Sequence, residues 1–310
     1  MLGAGLDIQY LLLSPLLVTI PVVIPSGILT NWRTCMAKRP RRYSESTTDK
    51  RMKEGRGQGR GTKYKPWVYT HDVPSRGRAW RTKGWKTGRP HHLLSDFEHD
   101  YQLIKDWDPS VIDIREQYPL LPLEETLAIA EECDIRHPSV PHPTKRGIVI
   151  PVVLTTDFVL TISEGLNTYD QARTLKYAKD LEKQRTLEKL EIERRYWARR
   201  DIDWAIVTEH EISRVLARNV QKLHKHLTIE DRVALPEATI REAAAIMTSE
   251  VLQSKCSLSY VALECDERLR LEPGTCLTIA YHLLATRQWK IDMFTPIQPG
   301  NRLILLNESY

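Results

Sequence analysis

Two acids and a lysine, Glu98, Asp157 and Lys176, are the residues of this chain best suited to chemistry on a phosphodiester. Asp157 interrupts the apolar, β-branched run VVLTTDFVLTI (152–162), which reads as a buried strand. A buried carboxylate without a partner costs several kcal/mol, so the fold must supply a cation, hydrogen bonds or water. Glu98 stands four residues after Leu94, on the border of the apolar stripe of a helix, where a carboxylate can point into a cleft. Alternation in QARTLKY (171–177) puts Thr174 and Lys176 on one face of a third element. If the strand of Lys176 lies beside that of Asp157 and the helix of Glu98 packs across them, the three converge. Carboxylate oxygens of Glu98 and Asp157 then suit Mg2+, with Mn2+ expected to substitute, and Lys176 is placed to orient water or steady negative charge.

The elements that must position these groups follow from periodicity. Leu93, Leu94, Phe97, Tyr101, Ile104 and Trp107 fall at helical spacing in HHLLSDFEHDYQLIKDW (91–107), with Ser95 or Asp96 near its start. SVIDIREQYPLLP (110–122) reads as a strand closed by prolines. KQRTLEKLEIERRYWARR (183–200) is a charged helix with Leu187, Leu190 and Trp197 toward the core, and DIDWAIVT (201–208) returns as a buried strand. The fold class is therefore α/β with a mixed central sheet. Residues 210–226, 238–254 and 273–288 are helical by period, and WKIDMF and RLILL around PIQPGN read as a β-hairpin wing. A mainly α, winged-helix-like C-terminal domain over 210–310 is expected, able to contact DNA or protein equally well.

At 310 residues with 27% charged content the chain is long enough for two ordinary domains. Its net charge of +5 hides an asymmetry: residues 37–90 carry 17 Lys or Arg against 4 Asp or Glu, so the remainder is acidic. Within that stretch EGRGQGRG (54–61) and SRGRAWRTKGWKTGRP (75–90) interleave basic residues with glycine and tryptophan, a composition able to follow a phosphate backbone. Arg56, Arg60, Arg76, Arg78, Arg81, Lys83, Lys86 and Arg89 are the candidate DNA contacts, with Trp67, Trp80 and Trp85 available to stack on bases. Five scattered cysteines with no CxxC point to reduced thiols and a cytoplasmic, DNA-associated protein. His137 and His142 in HPSVPHP read as surface residues and not as zinc ligands. The apolar run 10–29 has the length of a membrane span, but Pro15, Pro21 and Pro25 break it and no basic n-region precedes it. Residues 1–35 are read as an apolar extension ahead of the natural start at Met36, and no stable membrane partner is expected. The remaining divisions are a basic segment over 36–90 and a catalytic domain over 91–209.

The strings KEGRGQGRG, KTGRPHHLLSDFE, VIDIREQYPLLP, TTDF and RTLEKLEIERRYW, in this order from residue 36 to about 210, resemble the TnsA family, the endonuclease subunit of heteromeric cut-and-paste transposons. The resemblance implies a fold like the type II restriction endonucleases and cleavage at the 5′ ends of a bacterial transposon. It also implies three partners: transposon-end duplex DNA, a DDE transposase subunit (TnsB-like) and an AAA+ regulator (TnsC-like). Carried over, Glu98 in SDFE and Asp157 in TTDF match the family's metal-binding acids and Lys176 its catalytic lysine, with Lys179 a competing choice. The backbone carbonyl of Leu175 would be a further metal ligand. Where the family often has glutamine, this chain has Thr174, a poorer ligand that puts a second metal in doubt.

Other features carry plainer readings. Glu191, Glu193, Arg194 and Arg195 read as a solvated helix face, His91 and His92 as an ordinary helix terminus, and Glu116 and Gln117 as residues near the cleft that support it or touch DNA. No Walker motif or nucleophile elbow occurs, so no nucleotide site is expected. The sequence thus points to a Mg2+-dependent endonuclease subunit, with water attacking in line to leave 5′-phosphate and 3′-hydroxyl ends. The alternatives are a catalytically silent DNA-bridging subunit and a stand-alone restriction or repair nuclease.

Overall fold

The β-branched runs pair into one sheet. The structure, a computed structural model, describes residues 44–73, 78–230 and 232–306; the extension over 1–35, Met36 and Arg76 lie outside the described residues. Helix α1 (Glu45–Lys53) is followed by a ribbon of β1 (Trp80–Lys83) and β2 (Pro90–Leu93), then α2 (Asp96–Trp107), β3 (Val111–Pro119) and α3 (Leu123–Glu132). A second ribbon, β4 (Ser139–Pro141) with β5 (Val149–Pro151), precedes β6 (Thr155–Glu164), β7 (Asn167–Leu175), α4 (Gln184–Ala198) and β8 (Asp203–Val207). The central sheet runs β3-β6-β7-β8, antiparallel except for the β7–β8 pair, which α4 connects in parallel. This is the mixed α/β sheet expected. Alternation splits its side chains: Phe158, Leu160 and Ile162 pack with Phe97 and Tyr101 of α2, while Val159 and Ala172 pack with Ile129 of α3 and Ile192, Tyr196 and Trp197 of α4.

Two helices differ from expectation. Residues 90–93 form β2, paired to β1 from Trp80↔Leu93 to Lys83↔Pro90, so the helix begins only at Asp96. Ser95 is its cap, accepting the Glu98 N–H at 3.1 Å, because a short polar side chain satisfies a helix-end donor that Leu94 cannot. On α4, Leu187 is exposed and the buried face is Leu190, Ile192, Glu193 and Trp197. Glu193 is therefore not on a solvated face. Glu191 is, paired with Arg194 and Arg195 at 2.7 and 2.6 Å.

The basic, glycine-rich segment is built into the structure as a cover along the edge strand β3. Trp67 N–H donates to Gln117 O, the Tyr64 hydroxyl to Glu116 O and Gly61 N–H to Asp113 Oδ1. Close approach requires the glycines: a Cβ on Gly57, which has φ +78°, would stand 2.2 Å from Pro119 Cγ. The tryptophans are spent on protein. Trp67 is fully buried, Trp80 stacks on His99 at 4.0 Å and donates to Asp96, and Trp85 stacks on His224 at 4.8 Å. The rings expected to stack on bases have intramolecular partners instead.

β2 is held to β3 by a buried charge cluster. Arg89 donates to Glu116 through both Nη atoms (2.8 and 2.6 Å), while His91 Nδ1 and His92 N–H meet the same carboxylate at 2.8 and 3.0 Å. Burial alone would raise that carboxyl's pKa; His91 and Arg89 more than reverse it and hold it well below the usual carboxylate range. His91 is thus a core residue, not a helix terminus.

Helices α5 (Arg214–His224), α6 (Glu237–Gln253), α7 (Leu258–Leu269) and α8 (Thr275–Ala285) form a mainly α C-terminal part around Met247, Val261, Ile279 and Leu283. Of these, α7 has no counterpart among the sequence-predicted helices. The expected hairpin wing does not form strands. Its two limbs share the bond from Leu306 N–H to Lys290 O, while other backbone groups there bond outward: Met293 O and Thr295 O accept from Asn219, Ile297 N–H donates to Asn219, and Asn301 O accepts from Leu258 N–H. Among the described residues no helix is long and apolar enough to cross a membrane.

Glu116→Ala should strip the compensating charge from buried Arg89. We expect a loss of about 3–5 kcal/mol in urea unfolding at neutral pH; a loss below about 1 kcal/mol would show that the cluster does not hold β2 to β3.

Candidate active site

Asp157 sits where two strands part. The β6–β7 ladder ends at the pair Phe158↔Arg173, and one residue further the Asp157 carboxylate accepts the Leu175 N–H at 2.7 Å, replacing a strand partner. The same oxygen, Oδ2, accepts from Lys176 Nζ at 3.3 Å. Lys176 follows the last residue of β7, and its N–H donates to Val207 O of β8, so the backbone on both sides of the sheet fixes where the ammonium starts. Its Nζ also donates to Leu175 O at 2.8 Å. Burial pulls the lysine's pKa down, but the charges of Asp157 and Glu193 outweigh this and hold it above the ordinary value. Lys176 is therefore an ammonium at neutral pH. Lys179, the competing choice, lies over the Tyr177 ring instead.

Glu98 arrives from the opposite element. As the third residue of α2 it folds back over the helix start, where its carboxylate accepts from Leu94 N–H (2.9 Å), the Ser95 hydroxyl (3.2 Å) and Gln117 Nε2 (3.3 Å). Gln117 holds this position with a left-handed backbone (φ +50°), uncommon for a residue with a side chain. Burial first, then the charge of Asp157, raise the Glu98 carboxyl to about 7, against the pull of Leu94, Ser95 and Lys176. Glu98 thus feels the charge of Asp157, which a cation between them would offset.

A third acid completes the group. Glu193 of α4 is buried, and its Oε1 accepts from Thr156 at 2.6 Å and from Thr174. Both hydroxyls are themselves held by indoles: Trp197 donates to Thr156 at 2.7 Å and Trp204 to Thr174 at 3.3 Å. Burial raises Glu193 to about 7 despite the two hydroxyls, with Asp157 adding to the rise. Thr174 therefore has its hydroxyl engaged with Glu193. Glu193 is the residue that sequence reasoning missed; its helical spacing from Leu190 and Trp197 is the signal that could have put it on the inner face.

The oxygen donors suited to a cation are the carboxylates of Glu98 and Asp157 and the carbonyl of Leu175. Among the described residues no group of three or more His, Cys, Asp or Glu side chains gathers as a metal cage. Two carboxylates with a carbonyl and water are the hard, sparse donor set that Mg2+ or Mn2+ takes, and the raised Glu98 carboxyl is the electrostatic deficit such an ion would relieve.

The candidate DNA contacts separate into two kinds. Arg56 and Arg89 are buried, Arg56 on Glu54, Asp72 and Trp67 O, Arg89 on Glu116 and Ile114 O. Their guanidiniums hold the fold together. Arg60 bonds Asp170 at 3.0 Å with an exposed side chain, Arg81 bonds Thr70, Arg78 lies over Trp80, Lys83 is exposed, and half-buried Lys86 has its pKa lowered by burial.

Two family models match the chain in succession: "TnsA-like endonuclease N terminal" over residues 108–209 and "TnsA endonuclease C terminal" over 211–293. The chain is 45% identical over 196 residues to the Transposon Tn7 transposition protein TnsA of Escherichia coli, an alignment covering 63% of this chain and 68% of that protein.

Because Glu193 is raised to about 7 from an ordinary 4.5, the folded, metal-free protein holds a proton between those values that the unfolded chain has released. Its contribution is therefore lost as pH rises through about 7. In chelator we expect unfolding free energy to fall from pH 5 to pH 8, and Glu193→Gln to flatten that fall by on the order of 3 kcal/mol. An unchanged slope in the variant would show that Glu193 is ionised throughout.

Proposed function

This chain belongs to the TnsA family of transposition endonucleases, and from that premise we propose that it is the Mg2+-dependent subunit that cuts the 5′ strand at transposon ends. The observation that carries the proposal is Asp157 holding Leu175 N–H and Lys176 at the parted ends of β6 and β7, with its charge acting on the buried carboxylate of Glu98. Glu98, Asp157 and the Leu175 carbonyl would hold the ion. When bound, Mg2+ supplies charge that offsets the developing negative charge on the phosphate and makes water acidic enough to attack at neutral pH.

The chain's own residues do the rest. Lys176, held charged by Asp157 and Glu193, steadies the pentavalent phosphate or orients the attacking water for in-line displacement. Cleavage then leaves a 5′-phosphate and a 3′-hydroxyl. Asp157, through the Leu175 amide and the Lys176 ammonium, keeps donor and acceptor groups at fixed separation. Gln117 and the start of α2 aim the Glu98 carboxylate inward. Thr174 supports Glu193 in place of ligating metal, so its departure from the family's glutamine is compatible with activity on one ion. Family membership further supports a heteromeric assembly with an integrase-like DDE transposase and an AAA+ regulator, acting on duplex DNA at transposon ends.

Purified with those partners, Mg2+ and labelled transposon-end DNA, the protein should nick the 5′ strand. Asp157→Ala should abolish the nick and Lys176→Ala reduce it by at least about 10²-fold, with assembly on DNA intact. Nicking by both variants at the wild-type rate would remove the assignment, and a wild type that assembles without nicking would mark a silent bridging subunit. Cutting in the absence of every partner would mark a stand-alone nuclease.

A further inference from the structure

From the ribbon β4–β5 we infer a second DNA-contacting element, a basic β-hairpin that grips the duplex beside the cleavage site. The inference rests on the nuclease function proposed above. No Asp or Glu occurs between Asp134 and Asp157, while Arg136, Lys145 and Arg146 do, and all three are exposed. In a chain with 27% charged residues such a one-signed stretch is a local cation.

The ribbon has a fixed shape. Its ladder pairs Ser139↔Pro151, Val140↔Ile150 and Pro141↔Val149, and is extended by Val152 N–H to Pro138 O and His142 N–H to Ile148 O. At the tip His142 Nδ1 meets the N–H groups of Thr144 and Lys145 at 3.2 and 3.0 Å, and Gly147 turns the chain at φ +84°. Lys145 and Arg146 are thus presented on a closed turn and not on a loose loop. At the base His137 bridges Thr126 of α3 at 3.1 Å to Pro138 O at 3.0 Å, and Ile150 and Val153 are buried. The histidines of this stretch serve the ribbon's architecture.

Its placement links it to the site. The outgoing limb runs through Leu154, whose carbonyl accepts Leu120 N–H, into Thr155 at the start of β6, two residues before Asp157. Five residues per limb span roughly 16 Å, the length of about five phosphate steps on one strand. A duplex with a phosphate at Asp157 is then flanked by a cationic ribbon that leads through three residues into the strand of Asp157. Exposed Ile148 and Val149, adjoining Arg146, add the apolar surface that groove-entering ribbons lay against sugars and bases.

The test measures binding of the full-length protein to a fluorescent transposon-end duplex of about 30 bp in chelator, over a range of salt, beside nicking of that duplex in Mg2+ with its transposition partners added. K145E/R146E should weaken binding at least about tenfold at 0.15 M salt and flatten the log Kd–log salt slope by about 2, with unchanged circular dichroism. R241E/R268E, which makes the same change in net charge on exposed C-terminal helix positions, should weaken it less than about threefold. Wild-type affinity in K145E/R146E, or equal losses in the two variants, overturns the hairpin's role; so does wild-type affinity accompanied by loss of a protein partner. Loss of binding in K145E/R146E with a wild type that never nicks would overturn the nuclease function and leave the hairpin standing.

Discussion

Everything at the site depends on one carboxylate occupying the place of a strand. Where β6 and β7 separate, the Leu175 amide would be left without a partner, and Asp157 Oδ2 takes it at 2.7 Å while also receiving Lys176. A buried amide, a partly buried acid and a partly buried ammonium each carry a desolvation cost alone, and together they offset much of it. This explains how an aspartate stands in the run VVLTTDFVLTI without breaking the strand: its backbone continues β6 toward β3, and its side chain closes the gap toward β7.

The cancellation is incomplete. Around one ammonium stand three carboxyls, Asp157, Glu98 and Glu193, and the last two are pushed to about 7 because burial and the charge of Asp157 outweigh their hydrogen bonds. Each is nonetheless held from a different element by groups with no freedom to retreat: the start of α2 for Glu98, two threonines locked by Trp197 and Trp204 for Glu193. Residual negative charge with rigid oxygens is the condition under which a divalent cation gains most by binding. The fold therefore stores a local electrostatic excess that an apolar core would have avoided.

How much of this was legible varied with the kind of signal. Strands β3, β6 and β7, and the convergence of Asp157 with Lys176, followed from apolar runs and alternation, because a two-residue period survives in any register. Glu193 was hidden. Its charged neighbours Glu191, Arg194 and Arg195 made the helix look solvated, and its burial depends on Thr156 and Thr174, which are distant in the chain. The tryptophans and arginines of the basic segment misled in the opposite direction: composition marked them for nucleic acid, whereas Trp67, Arg56 and Arg89 complete the core. The missing wing has a similar cause, since Asn219 and the start of α7 offered its backbone groups partners that no local pattern could announce.

Those reassignments bear on how the molecule meets DNA. The basic segment covers the edge of β3 and so must keep its backbone and several guanidiniums turned inward; only its outer side chains, such as exposed Arg60 and Lys83, remain for a polyanion. Exposed Arg136, Lys145 and Arg146, with no Asp or Glu between Asp134 and Asp157, add positive charge on the outgrowth between α3 and β6. A cover that stabilises the sheet and a ribbon that projects from it divide tasks that composition alone would assign to one tail. Because only residues 152–154 separate β5 of the ribbon from the start of β6, a duplex that displaced the ribbon would pull on the end of β6 where Asp157 holds Leu175 and Lys176, which would couple the grip on DNA to the alignment of the acid.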